Sequence, residues 1–344
     1  MLASRFSASL RTSALALVCF AGTALAGPLD RSLVPAATPW VLHVDVEAAV
    51  ASKVGSFMLS HKEEFDLSGL DGLQIFGIEA SRDLLSITIF AVDAKSEDGV
   101  VAVLATPAID ALWNHLKTEP HAKSITVDGV ELLSWDDKGE RKYGRVTPSA
   151  DGKTRLALIS DEWESIVAAI KGEKQAAGLA GPSKGSILFV QATTFPQNMI
   201  EDSDENGQAI LSKVQSAWLD IGEQDATVRA VANATFTDAT AATQSRDVLQ
   251  GLLSFVRMVS SSNEDVKPIV QMLDAAGGPK ILLDQGSKTL SIEFAAPSDK
   301  VAAGLAAMQE NEGEDDEAEE NDEGKNHEGG RPEEGPKKPA AADR

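Results

Sequence analysis

Short runs in which apolar and polar residues alternate, each giving way to a helical pattern, recur along this chain. Trp40-Val41-Leu42-His43-Val44-Asp45-Val46 puts Leu42, Val44 and Val46 on one side of an extended segment and Val41, His43 and Asp45 on the other. Val50, Val54, Phe57 and Met58 follow at helical spacing, so this strand leads into an amphipathic helix ending near His61. Leu84 to Val92 and Val100 to Ala105 read as two strands joined by a polar turn. Thr106-Pro107 starts a helix, with a hydroxyl at the N-cap and proline at the first helical position, and Ile109, Leu112, Trp113 and Leu116 form its apolar stripe. Two hairpins follow, Ser124 to Trp135 turning at Asp128-Gly129, and Arg141 to Thr147 with Thr154 to Ile159. Asp161 and Glu164 have capping-box spacing ahead of a helix carrying Trp163, Ile166, Val167 and Ile170.

The order then repeats in shorter form. Ser186 to Ala192 aligns without gaps on Trp40 to Val46. Ile210, Val214, Trp218 and Ile221 fall at helical intervals and predict a helix, and Thr227 to Phe236 a strand. A long helix with Val248, Leu252, Phe255, Val256 and Val259 follows. A hairpin around Gln285-Gly286 and a closing helix from Ser298 complete the pattern. The expected fold class is α+β: two tandem similar domains, each a mainly antiparallel sheet with helices packed on it. The predicted boundaries are a signal peptide over 1–26, an extended leader over 27–38, a first domain over 39–172 and a linker over 173–184. A second domain over 185–309 and a disordered acidic tail over 310–344 follow.

Composition bears first on the two ends. Arg5 and Arg11 form a basic region, Ala14 to Ala21 an apolar one, and Ala24-Leu25-Ala26 a cleavage signal, so the mature chain is expected to begin near Gly27 and to be periplasmic or secreted. Cys19, the single cysteine, leaves with the signal, so disulfides, thiolate catalysis and cysteine-ligated metals are not expected. No later apolar run has the roughly 20 residues that a spanning helix needs. From Glu310 onward the chain carries fourteen acids against five bases and no apolar side chain able to build a core, which predicts disorder. The formal net charge of −22 argues against nucleic acid and anionic lipid as partners, and permits cations and basic proteins, for which the tail is one contact.

Candidate chemistry is sparse. Asp202-Ser203-Asp204-Glu205-Asn206-Gly207 has the form of the first half of a calcium loop, with oxygen ligands expected from Asp202, Asp204 and Asn206 and glycine at the sharp turn. The place of the closing bidentate glutamate is taken by Lys213, so a strong site needs a carboxylate from elsewhere. An acidic loop capping the next helix is the competing reading. His43 and Asp45, two apart on one strand face, have the spacing of a base and an orienting carboxylate, yet the aligned positions are Phe189 and Gln191. His115, Glu119 and His121 fit no zinc spacing, and Gly181-Pro182-Ser183-Lys184-Gly185 departs from a phosphate loop because its lysine precedes the glycine. No catalytic residue and no organic cofactor is assigned.

The A-x-A signal, the paired openings at Trp40 and Ser186 and the paired closing helices at Asp161 and Ser298 resemble poorly characterised exported proteins of Gram-negative-type bacteria, which have duplicated α+β domains and an acidic low-complexity tail. That resemblance implies no activity. The expected function is a non-enzymatic binding or scaffolding protein of the cell envelope, acting on a protein or other envelope component. The alternatives are a calcium-responsive module and a hydrolase built on scattered carboxylates.

Overall fold

The computed structural model describes residues 29–61, 71–93, 99–137, 139–150, 152–172, 181–193, 208, 210–260, 267–275 and 277–307. The first half supplies β1 (Trp40–Asp45), β2 (Leu84–Phe90), β3 (Val100–Ala105), β4 (Lys123–Val127), β5 (Val130–Asp137), β6 (Glu140–Pro148) and β7 (Arg155–Ser160). The second supplies β8 (Ser186–Ala192), β9 (Val214–Gln224), β10 (Thr227–Phe236), β11 (Lys280–Asp284) and β12 (Thr289–Pro297). All twelve form one antiparallel sheet in the order β11-β12-β10-β9-β8-β1-β2-β3-β7-β6-β5-β4.

The mixed α+β class is as expected, but two separate sheets are not formed. β1 pairs with β2 on one edge and with β8 on the other, in a register that sets Val41 against Gln191 and His43 against Phe189. The physical reason lies in the opening strands themselves. Val41, Val44 and Phe189 are 0 to 1 % exposed, and strands so deeply buried need partners for the backbone groups on both edges.

Helices flank the sheet: α1 (Val46–Val50), α2 (Lys53–Ser60), α3 (Asp71–Gln74), α4 (Ala80–Asp83), α5 (Ile109–Leu116), α6 (Trp163–Lys171), α7 (Ala239–Val259), α8 (Lys267–Ala275) and α9 (298–307). Ala102, Thr88, His43, Phe189, Asp220 and Val231 stand opposite one another across six strands and therefore share a face. In the first half this face is covered by Ile166, Val167 and Ala169 of α6 and by Leu29 and Val34 of the leader. The opposite face is covered by Val46 of α1, Leu73 of α3 and Ile109 of α5. In the second half Ala242 and Leu249 of α7, Met272 of α8 and Val301 of α9 pack on that opposite face as well, against Leu290, Val228 and Ala296. The closing helices α6 and α9 thus lie on opposite sides of the sheet.

Three local expectations are corrected. The helix read through Val214, Trp218 and Ile221 is strand β9. Its true period is two, with Leu219 and Ile221 in the apolar layer, and the helical spacing of the larger residues is coincidental. α6 starts at Trp163 with Glu162 at the N-cap and no side-chain cap, because Asp161 instead accepts a hydrogen bond from Lys142. α5 begins at Ile109, after a turn in which Thr106 donates to Asp83. The hairpin at Asp128-Gly129 is as read, with φ of 50° and 76° giving the left-handed two-residue turn that matches strand twist.

Candidate binding face

Alternation along β9, β10, β12 and β11 sends small and apolar residues to the helix-covered side and most of the polar ones, with Trp218, Val231 and Leu282, to the other. Across these strands Asp220, Val231, Glu293 and Lys280 form one row of directly opposed positions. Trp218, Asn233, Ser291 and Leu282 form the next. No helix among the described residues covers this side as α6 covers the first half. Ser291 donates to Asn233 within the second row.

At the start of β8 the face dips. Gly222 approaches Gly185 so closely that a Cβ added to it would lie 2.3 Å from the Gly185 carbonyl oxygen. Beside it a cavity of about 90 Å³ is lined by Ser183, Lys184, Asp220, Gly222, Gln224 and Arg229 among others. Asp220 is only 7 % exposed. Its Oδ2 accepts a hydrogen bond of 2.9 Å from the Ser183 backbone N–H, and its Oδ1 is buried with no hydrogen-bond partner among the described residues. A second unpaired acceptor, Gln191 Oε1, lies on the same face, opposite Trp218. A buried carboxylate oxygen without a donor costs free energy of order 1–3 kcal/mol or more, so this arrangement favours a ligand that brings an N–H or O–H. The guanidinium of Arg229 and the ammonium of Lys184 at the rim offer donors to acceptors on the same ligand.

The residues singled out from sequence fall elsewhere. Asp202, Asp204 and Asn206 lie outside the described residues. His43 is 2 % exposed and hydrogen-bonds through Nδ1 to Thr88 Oγ1 at 2.9 Å, while Asp45 Oδ1 accepts from Ala48 N–H at 2.6 Å and caps α1. His43 is therefore a core side chain and Asp45 a helix cap. His115, on the last turn of α5, and Glu119, in the turn that follows it, form an exposed i,i+4 contact of 3.3 Å. Trp113 and Trp135 pack edge to face at 6.0 Å, as core residues. Among the described residues no three His, Cys, Asp or Glu side chains are grouped to hold a metal, and no helix is long and apolar enough to cross a membrane. The sequence does not single out Asp220, because the spacing of Val214, Trp218 and Ile221 points to a helix where the structure has strand β9. The alternation Ala217-Trp218-Leu219-Asp220-Ile221 was the available signal.

No protein-family model matches the chain, and no curated protein matches it. Among solved structures it is similar to TP0453, a Treponema protein, in several crystal forms. Form III matches at 8 % identity over 83 % of this chain and 100 % of that one, with a TM-score of 0.43. Form IV matches at 9 % identity over 82 % and 97 %, with a TM-score of 0.44.

Proposed function

We propose that this chain is an exported, non-enzymatic binding or scaffolding protein of the cell envelope, periplasmic or secreted, whose contact surface is the uncovered face of β9 to β12. The observation that carries this reading is Asp220, a carboxylate held by the Ser183 amide with its other oxygen buried and unpaired beside a small cavity. The fitting ligand is a polypeptide segment whose lysine or arginine donates to Asp220 and whose backbone carbonyls accept from Arg229. The net charge of −22 favours the approach of such a basic segment.

The test is fluorescence anisotropy of a labelled lysine- and arginine-rich decapeptide against the full chain and against Asp220→Asn and Arg229→Ala, with unfolding midpoints measured in parallel. Loss of a hydrogen bond to a charged group predicts binding at least tenfold weaker in Asp220→Asn at an unchanged midpoint. Equal binding by wild type and Asp220→Asn would mean attachment to the acidic surface at large, and would overturn the reading.

The repeat read in the sequence has support of the same kind. Gapless alignment makes His43 and Phe189 equivalent positions, and the register sets those two residues opposite each other. Outward from them each half lays down its opening strand, its second, its third and then the last strand of a hairpin. We read the halves as two copies of one unit related by a twofold axis normal to the sheet, with α6 and α9 as the departure. A calcium-responsive loop at Asp202, Asp204 and Asn206 is the second reading, favoured by the Asp-x-Asp-x-Asn-Gly pattern alone.

A further inference from the structure

β11 is the terminal strand at one end of the sheet, and its outer edge has no strand partner among the described residues. Its sequence is Lys280-Ile281-Leu282-Leu283-Asp284, with Lys280, Leu282 and Asp284 exposed and Ile281 and Leu283 turned toward α7. Leu282 is 52 % exposed. The other large apolar side chains left exposed nearby are Val248, Leu252, Phe255 and Met258, all on α7, which packs over β10, β11 and β12. α7 is amphipathic: it packs Ala242 and Leu249 against the sheet and leaves an adjoining stripe of Val248, Leu252 and Phe255 exposed.

We infer that β11 is a self-association edge, and that a second copy of this chain pairs with it antiparallel in a register centred on Leu282. That register opposes Lys280 to Asp284 of the second copy, Ile281 to its Leu283, and Leu282 to its own counterpart. A slip by two residues separates both charge pairs and sets Leu282 against a charge, so the sequence specifies one register. Unpaired edges invite strand addition, and this one is complementary to itself. It is also locally neutral in a chain of net charge −22, so two acidic molecules meet here without stacking like charges. Residues 248–259 carry one charge, Arg257, which is 3.0 Å from Asp274. A twofold axis normal to the sheet preserves its faces, so the two α7 helices arrive on the same side of the extended sheet. A five-residue strand pair by itself falls short of the roughly 1,200 Å² that a specific interface buries, and the bare α7 stripe is the additional area that the pair requires. The stripe supports association only together with the edge.

The experiment is sedimentation velocity on the full chain carrying Cys19→Ala, over a concentration series. A reversible monomer–dimer equilibrium is expected, weakened tenfold or more by Leu282→Lys, which sets two ammonium groups face to face, and also by Leu252→Glu. Because Leu282 is half exposed, Leu282→Lys should keep the wild-type unfolding midpoint. Lys280→Asp and Asp284→Lys should each associate poorly with themselves, while an equimolar mixture of the two restores a dimer, since every opposed pair is then of opposite sign. In the same background, Leu282→Cys should form a disulfide-linked dimer on mild oxidation. A chain monomeric at all concentrations, or a dimer indifferent to Leu282→Lys and to the charge mixture, would overturn the inference. So would a monomer that binds phosphatidylglycerol vesicles through the α7 stripe. None of these readouts depends on Asp220, so this inference and the peptide-binding reading fail separately.

Discussion

His43 stands directly opposite Phe189 at the junction of the two halves, with exposures of 2 % and 0 %, and its Nδ1 is hydrogen-bonded to Thr88 on the next strand. Truncating a fully buried ring removes its packing and leaves a cavity, so His43→Ala should cost about 3 kcal/mol in urea-induced unfolding. His43→Phe should cost less, and adding Thr88→Val should recover part of the loss, because the pair of changes removes both hydrogen-bonding partners at once. A loss below about 1 kcal/mol in His43→Ala would mean that the junction is not packed as described.

Asp83 ties α4 to α5. Its carboxylate accepts from Arg82 at 2.6 Å, from the Glu79 backbone N–H at 2.8 Å and from Thr106 Oγ1 at 2.8 Å. The Arg82 hydrogen bond, with the Glu79 and Thr106 bonds adding to it against the effect of burial, lowers its pKa to about 2. A carboxyl whose folded value lies below its unfolded value of about 3.9 stabilises the fold above that unfolded value, and the contribution is lost as pH falls toward 2. Asp83→Asn should lose about 2 kcal/mol at neutral pH and show a flatter decline than wild type between pH 4 and pH 2 in denaturant titrations.

Lys142 is a lysine with a side chain only 7 % exposed, bonded at 2.8 Å to Glu140 and at 2.7 Å to Asp161. Burial pulls its pKa down, but the two carboxylates outweigh that and leave it raised. Its contribution is therefore complete below the ordinary lysine value and is lost only as pH climbs through the raised one. Glu140→Gln alone should cost less than 1 kcal/mol, because Glu140 is mostly exposed. Glu140→Gln with Asp161→Asn should cost about 3 kcal/mol at pH 7, by stranding a buried ammonium. Equal effects of the single and double changes in thermal unfolding would refute this account.

For the loop at Asp202, a hundredfold excess of calcium over its dissociation constant contributes about 2.7 kcal/mol and should raise the unfolding midpoint by several degrees relative to chelator. The shift should vanish in Asp202→Ala with Asp204→Ala. No shift in wild type would leave the acidic loop as a helix cap.

Much of the fold was legible in the chain because most strands are bounded by turn residues and alternate cleanly. The turns at Asp128-Gly129 and Gln285-Gly286 and the strands at Leu84 and Val100 stand where the pattern put them. The sequence of β9 points to a helix because Val214, Trp218 and Ile221 satisfy a helical period by accident, and because the large apolar Trp218 stands on the uncovered side with Asp220 and Gly222 and obscures the alternation of Leu219 and Ile221. The junction of β1 with β8 was not legible, because edge pairing is made by backbone groups, which every sequence carries alike. Asp220 is hidden twice over: its strand has a helical spacing of large residues, and its significance depends on the Ser183 amide 37 residues away.

The pairing of β1 with β8 also orders events during folding. Trp40 meets Ala192, so the first half can assemble β1 through β7 while one edge of β1 stays open until the chain beyond Ser186 is available. A chain interrupted within that interval would present Val41 and Val44 along a bare, strongly apolar edge, which is the form most prone to pair with a neighbour. Completion of β8 is thus the step that commits the chain to itself.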